Sequence, residues 1–186
     1  MITRIGSLFF ILLFTLLGGC ASTGSQTDDN FTYLKKGIRI NLTATKNLNT
    51  YNRQSHSLVL VAYQLKDPSV YRQMLDDPEG LTKLLEGESF DSSVLSKRKF
   101  VMQPSEIKDL YMDRVEGVRY LGIVAGYFSD DLQSLSQIIE VKTRERNPYF
   151  WRKEDKDPAE TVVEVTLDKD RLTNVKLNNK QWAYND

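Results

Sequence analysis

Residues 58–63, LVLVAY, and residues 118–128, VRYLGIVAGYF, decide the fold class. The first is apolar throughout, short and rich in branched side chains, which predicts a central strand covered on both faces. The second is the other strongly apolar strand, with Gly122 and Gly126 marking bulges or points of close backbone approach. Upstream, Ile38, Ile40, Leu42 and Ala44 alternate with Arg39, Asn41, Thr43 and Thr45, so that strand has one buried and one wet face. Between it and Leu58 the polar run Lys46 to Ser57, holding Asn47, Asn49, Asn52, Gln54 and His56, reads as a loop.

Two short helices are expected after the first apolar strand. Asp67-Pro68 places a capping acceptor before a proline, and Val70, Tyr71, Met74 and Leu75 share a face. Asp77-Pro78 repeats the signal, Leu81, Leu84 and Leu85 supply the stripe, and Gly87 can end it. Helices this short must pack on a sheet to persist. Val94 to Met102 reads as a strand, and Ile107 to Met112 is open between strand and helix. Leu132 and Leu135 suggest a helical turn, followed by a strand at Ile138 to Val141. Val163, Val165 and Leu167 alternate, and Thr173, Val175 and Leu177 answer them across Lys169-Asp170 as a terminal hairpin. Seven or eight short strands without βαβ alternation make a mainly β fold, a β-sandwich over residues 35–180.

The 186 residues carry 25 Lys+Arg against 25 Asp+Glu, a zero balance that argues against a nucleic-acid partner. One Cys excludes an intramolecular disulfide and thiolate zinc clusters, and one His leaves little for imidazole chemistry. No catalytic residue, metal site or cofactor is expected, and binding is the better expectation than catalysis. Arg4 precedes an apolar stretch, Leu8 to Leu17, of the length of a signal-peptide h-region and too short for a spanning helix. It ends in Leu17-Gly18-Gly19-Cys20, which resembles the lipobox of bacterial lipoproteins; an ordinary signal peptide or a short anchor is the plainer alternative. Residues 1–19 are thus expected to be a signal peptide, with Cys20 the lipid attachment site and residues 20–34 a flexible, polar tether. Ala21 after the Cys favours the outer membrane, periplasmic face, over inner-membrane retention.

Leu60-Val61-Ala62-Tyr63-Gln64-Leu65-Lys66-Asp67, followed by short helices, resembles the TssJ/VasD family, the outer-membrane lipoproteins of type VI secretion systems. Tyr120-Leu121-Gly122-Ile123-Val124-Ala125-Gly126-Tyr127 is similar to that family's LGVVA-Y strand, and Pro104-Ser105-Glu106 stands where Pro-Gly-Glu is common. Departures are Ser105 for that glycine, no Trp-Arg pair near Leu135-Ser136-Gln137, and a more charged tail after Arg144. The resemblance implies a transthyretin-like β-sandwich with two or three short added helices. It also implies a partner, the periplasmic C-terminal region of the inner-membrane protein TssM, and indirectly TssL. The family's use of the first inter-strand loop in TssM binding carries over to Lys46–Ser57.

Within that loop Leu48, Tyr51 and Arg53 are the candidate partner-binding residues: an apolar anchor, an amphipathic ring and a planar donor. The structural alternative is that Leu48 caps the core and Tyr51 folds back onto the sandwich. His56 reads as an ordinary loop residue. The pairs Asp76-Asp77 and Asp130-Asp131 read as caps and turns, and Glu154 to Asp157 as a solvated run. Lys97-Arg98-Lys99 reads as a guard on an edge strand, with anionic lipid or an acidic partner as the alternative. Tyr149-Phe150-Trp151 is either satellite core or a second interface. The rival function is a periplasmic binding or accessory lipoprotein that recognises glycan or peptide through residues 144–158.

Overall fold

Leu58–Leu65 is central because both of its faces are covered. Leu58, Leu60 and Ala62 face an opposing sheet, whereas Val61, Tyr63 and Leu65 face two helices. The computed structural model describes residues 31–129, 131–141 and 160–178. In chain order these form β1 (Leu34–Ala44), β2 (Leu58–Leu65), α1 (Ser69–Met74), α2 (Pro78–Glu86), β3 (Val94–Met102), β4 (Ile107–Arg114), β5 (Tyr120–Ala125), a 3-10 turn (Leu132–Leu135), β6 (Ser136–Glu140), β7 (Thr161–Leu167) and β8 (Leu172–Asn178).

The strands make two four-stranded sheets, ordered β4-β1-β7-β8 and β3-β2-β5-β6. β1 and β7 run parallel, and the other neighbours are antiparallel. This is the transthyretin-like sandwich that the resemblance implies. Ile38, Ile40 and Leu42 of β1, Leu110 and Met112 of β4 and Val163, Val165 and Leu167 of β7 fill one side of the core. Leu58, Leu60, Leu121 and Ile123 fill the other.

The two helices lie on the outer face of the β2-containing sheet. Asp77 caps α2 by accepting the Gly80 N–H at 2.8 Å, and Gly87 ends it in the left-handed conformation that glycine adopts without a Cβ penalty. At α1 the helix starts one residue later than the Asp-Pro signal suggests: Pro68 is the cap, and Asp67 accepts the Ser69 N–H at 2.7 Å from outside. Tyr71 of α1 lies flat on Gly122, where an added Cβ would sit 2.8 Å from the ring. Its hydroxyl meets Ser136 Oγ at 2.8 Å. Close approach, not a bulge, is therefore the reason for that glycine.

Two boundaries differ from the sequence expectation, and one open reading resolves to a strand. β1 begins at Leu34, but a register shift between Leu34 and Ile38 breaks its ladder with β4. The ambiguous stretch at Ile107 is a strand, because its alternation buries Leu110, Met112 and Arg114. The apolar run at 118–128 forms a strand only over Tyr120–Ala125, since the flanking residues turn into connections at either end. Lys97-Arg98-Lys99 lies on β3, an edge strand, where Arg98 donates to the Tyr111 carbonyl at 2.7 Å and joins the two sheets at that edge.

Candidate functional site

Lys46 to Ser57 is not a hairpin loop. β1 and β2 belong to different sheets, so this stretch carries the chain across one end of the sandwich. The crossing explains its length, which a hairpin would not require. The connection is stitched to the β7–β8 turn by Thr45 N–H to Leu167 O (2.9 Å), Asn49 N–H to Asp168 O (3.3 Å) and Thr50 N–H to Lys169 O (2.9 Å). Thr45 Oγ1 also donates to Asp168 Oδ1 at 3.0 Å. Internal bonds close it further: His56 N–H to Leu48 O at 3.1 Å, and Ser55 Oγ to Lys46 O at 2.8 Å.

Asn49 is the keystone. It is buried and has a positive φ of 45°, which Asn tolerates better than most residues. Its Nδ2 donates to Ser57 O at 3.1 Å, and its Oδ1 accepts the Phe128 N–H at 2.9 Å. One side chain thus ties this connection to the segment that leaves β5. At the tip Tyr51 and Gln54 exchange backbone bonds of 2.9 and 3.0 Å around Asn52 and Arg53, both with positive φ. That is the geometry of a two-residue type I′ hairpin, so the tip is preformed.

The three candidate residues separate. Leu48 is fully buried in the inter-sheet core, so it presents nothing to a partner and takes the core-capping alternative instead. Tyr51 is 51% exposed and stacks on Phe128, itself 58% exposed, with ring centroids 4.9 Å apart. The His56 ring meets the edge of Phe128 at 5.7 Å. Arg53 is exposed at the hairpin tip. The sequence reading missed Phe128 by counting it into the preceding strand. Its signal was there: an aromatic directly after the strand's last buried residues, next to Ser129. Cys20, the Tyr149-Phe150-Trp151 cluster and Glu154 to Asp157 lie outside the described residues. Among the described residues no group of three His, Cys, Asp or Glu side chains is placed to hold a metal ion.

Chemically this end offers apolar contact and hydrogen bonding on a rigid frame. Two aromatic rings from separate connections form one exposed ledge, flanked by the exposed Arg53. Such a surface binds by shape, since holding its rings in place beforehand lowers the ordering cost of association.

A family model described as type VI secretion lipoprotein, with the names VasD, EvfM and TssJ, matches residues 36–171. No curated protein matches the sequence. Among solved structures, the chain is similar to the type VI lipoprotein TssJ1 from Pseudomonas aeruginosa at 20% identity and a TM-score of 0.59, covering 81% of this chain and 98% of that one. It is similar to Lip from Serratia marcescens, a membrane-bound component of the type VI secretion system, at 16% identity and a TM-score of 0.57, covering 77% and 96%. A third structure, described as the type VI protein TssM C-terminal domain from EAEC, is similar at 15% identity and a TM-score of 0.51, covering 76% and 96%.

Proposed function

The chain belongs to the type VI secretion lipoprotein family of TssJ and VasD, and on that premise we propose that it tethers the type VI envelope complex to the outer membrane by holding TssM. Lipid on Cys20 would fix one end at the periplasmic face. The aromatic ledge of Tyr51 and Phe128, with Arg53 beside it, would hold the periplasmic C-terminal region of TssM, and through it TssL. The role is structural, with no catalytic step.

One observation carries this reading. The exposed rings sit on two connections tied together through Asn49, one of them also bonded to the β7–β8 turn, at the end of the sandwich opposite the one where the chain enters β1. β1 runs from Leu34 at the entry end to Ala44 beside the ledge, 11 residues, or about 35 Å of strand. The entry of the chain into the sandwich and the ledge therefore lie at opposite ends, the arrangement a tether calls for.

Calorimetric titration with the soluble periplasmic fragment of TssM tests it. Tyr51→Ala and Phe128→Ala are each expected to weaken binding by about 2 kcal/mol or more, as aromatic hot spots do. Their double variant should lose less than the sum, because the rings share one contact. Thermal melts should stay near wild type, since both rings are half exposed. Unchanged affinity with unchanged melting would remove the ledge from the interface.

A further inference from the structure

β3 and β4 follow one another across residues 103–106, yet they belong to different sheets and are the adjoining edge strands on one side of the sandwich. The rows that face the core from this side should be apolar, because alternate residues point inward. At three places they are polar. Gln64 follows Leu60 and Ala62 on the inner row of β2, Arg98 stands opposite Ala62, and Lys108 stands opposite Leu42. All three reach across the gap to the backbone of the other sheet. Gln64 Nε2 donates to the Asp113 carbonyl at 2.8 Å, and its Oε1 accepts the Val115 N–H at 2.9 Å. Arg98 Nη1 donates to the Tyr111 carbonyl at 2.7 Å, and Lys108 Nζ donates to the Val101 carbonyl at 3.3 Å. Lys108 is aimed by Glu106, whose Oε1 lies 2.6 Å from Nζ while its Oε2 accepts the Gln103 N–H at 2.7 Å. Lys108 first, and then that N–H, hold the Glu106 carboxyl below the usual carboxylate range.

These carbonyls are the ones an incoming strand would use. Along an edge strand the backbone groups of alternate residues turn toward the neighbour and away from it. The Ala44 N–H bonds the Glu106 carbonyl on the β4 side, so Thr43, Asn41 and Arg39 turn toward β7. Their partners on β4, Ile107, Asp109 and Tyr111, therefore turn outward, and Asp113 continues the same row. The Val59 carbonyl accepts the Gly126 N–H on the β5 side, so its β3 partner Val101 turns outward too. Three outward carbonyls are thus taken by side chains, from beside the turn to the far end of β4.

We propose that the β3–β4 side is a closed seam, in which Arg98 and Lys108, with Gln64 behind them, occupy the acceptors of both edges and bar strand pairing with a second copy of the chain. An open edge is a template for such pairing, and inward-pointing charged residues are one way to blunt it. Charge repulsion is another, and Lys97 and Lys99 place two charges on the exposed row of β3. The seam works by occupation: a pairing strand must displace charge-assisted bonds, which are stronger than the neutral ones it brings. It matters most for a lipid-held protein, whose copies share one plane. It is nonetheless a property of the domain alone, tested without TssM or a membrane, so it and the proposed function fail separately.

Sedimentation of residues 20–186 carrying Cys20→Ser, which keep every described residue, tests it. This chain is expected to stay monomeric as its concentration rises. Arg98→Ala with Lys108→Ala frees the Tyr111 and Val101 carbonyls and should tighten self-association about tenfold or more. Hydrogen exchange should then show new protection at Asp109 and Tyr111, whose N–H groups turn outward. Lys97→Ala with Lys99→Ala, which removes as many charges from the exposed row, should stay monomeric. Arg98→Ala alone, at an exposed position, gives the same reading if the double variant does not fold. A folded Arg98 variant that stays monomeric overturns the seam, as does association without that protection. So does a parent chain that already pairs through Asp109 and Tyr111. Equal association in the Lys97 and Lys99 variant overturns it as well, since the defence would then be charge.

Discussion

Ser105 shows how one residue can hold a conformation that its side chain disfavours. It sits between β3 and β4 with a φ of 64°, after Pro104, in a turn closed by the Glu106 N–H to the Gln103 carbonyl at 3.1 Å. Pro followed by a residue of positive φ is the type II turn, which asks for glycine at that second position. The family commonly has glycine there, and this chain departs from it. An L-residue loses about 1–2 kcal/mol in the left-handed region, whereas glycine brings about 0.5–1 kcal/mol of extra chain entropy to the unfolded state. The difference favours the glycine. Ser105→Gly is expected to raise stability by about 0.5–1 kcal/mol, read as an increased urea midpoint at constant slope. The Ser105 N–H bond to Thr45 O involves only backbone and survives the change. A lowered midpoint would mean that the hydroxyl does something in this turn beyond what its geometry shows.

The connection between β1 and β2 is the element whose character changed most between sequence and structure. Its polar composition announced a loop correctly, but composition says nothing about which sheet the next strand joins. Treated as a hairpin excursion, it made Leu48 look like a surface anchor. As a crossover it buries Leu48 under the end of the sandwich, because a chain passing from sheet to sheet must close the core it crosses. Leu48→Ala is therefore expected to cost about 2–4 kcal/mol of folding stability through the cavity it leaves. Partner affinity per folded molecule should barely move, which separates it from Tyr51→Ala in the same titration. The strands themselves were legible, since alternation at 38–44 and unbroken apolarity at 58–63 report one-sided and two-sided burial directly. So were the α2 cap at Asp77 and stop at Gly87, where one residue carries the local physics. Phe128 and Asn49 were not legible, because their roles depend on a contact between segments far apart in sequence.

At the scale of the whole molecule the layout is that of a spacer. The entry into β1, where Arg114 donates to the Thr32 carbonyl, marks one end, the aromatic ledge the other, and the two sheets between them are bridged along one edge by Arg98 and Gln64. No helix among the described residues is long and apolar enough to cross a membrane. The proposed attachment is through lipid on Cys20, and on that reading Cys20→Ser is expected to release the protein from the outer-membrane fraction when its partners are deleted. Persistence in that fraction would show that another surface binds the membrane. The parallel pairing of β1 with β7 has a consequence for biogenesis. A chain exported N-terminus first presents its opening strand early, yet one neighbour of that strand arrives near the end: Thr45 waits for Asp168, 123 positions later. Until then β1 has an unpaired edge, and contacts this distant in sequence form slowly. Acylation at the leading end would hold that half-made sheet at a membrane surface while the remaining strands follow. For a chain exported as proposed, the escort this order of assembly calls for is a holdase for an open β-edge, and the call ends when β7 slots in beside β1.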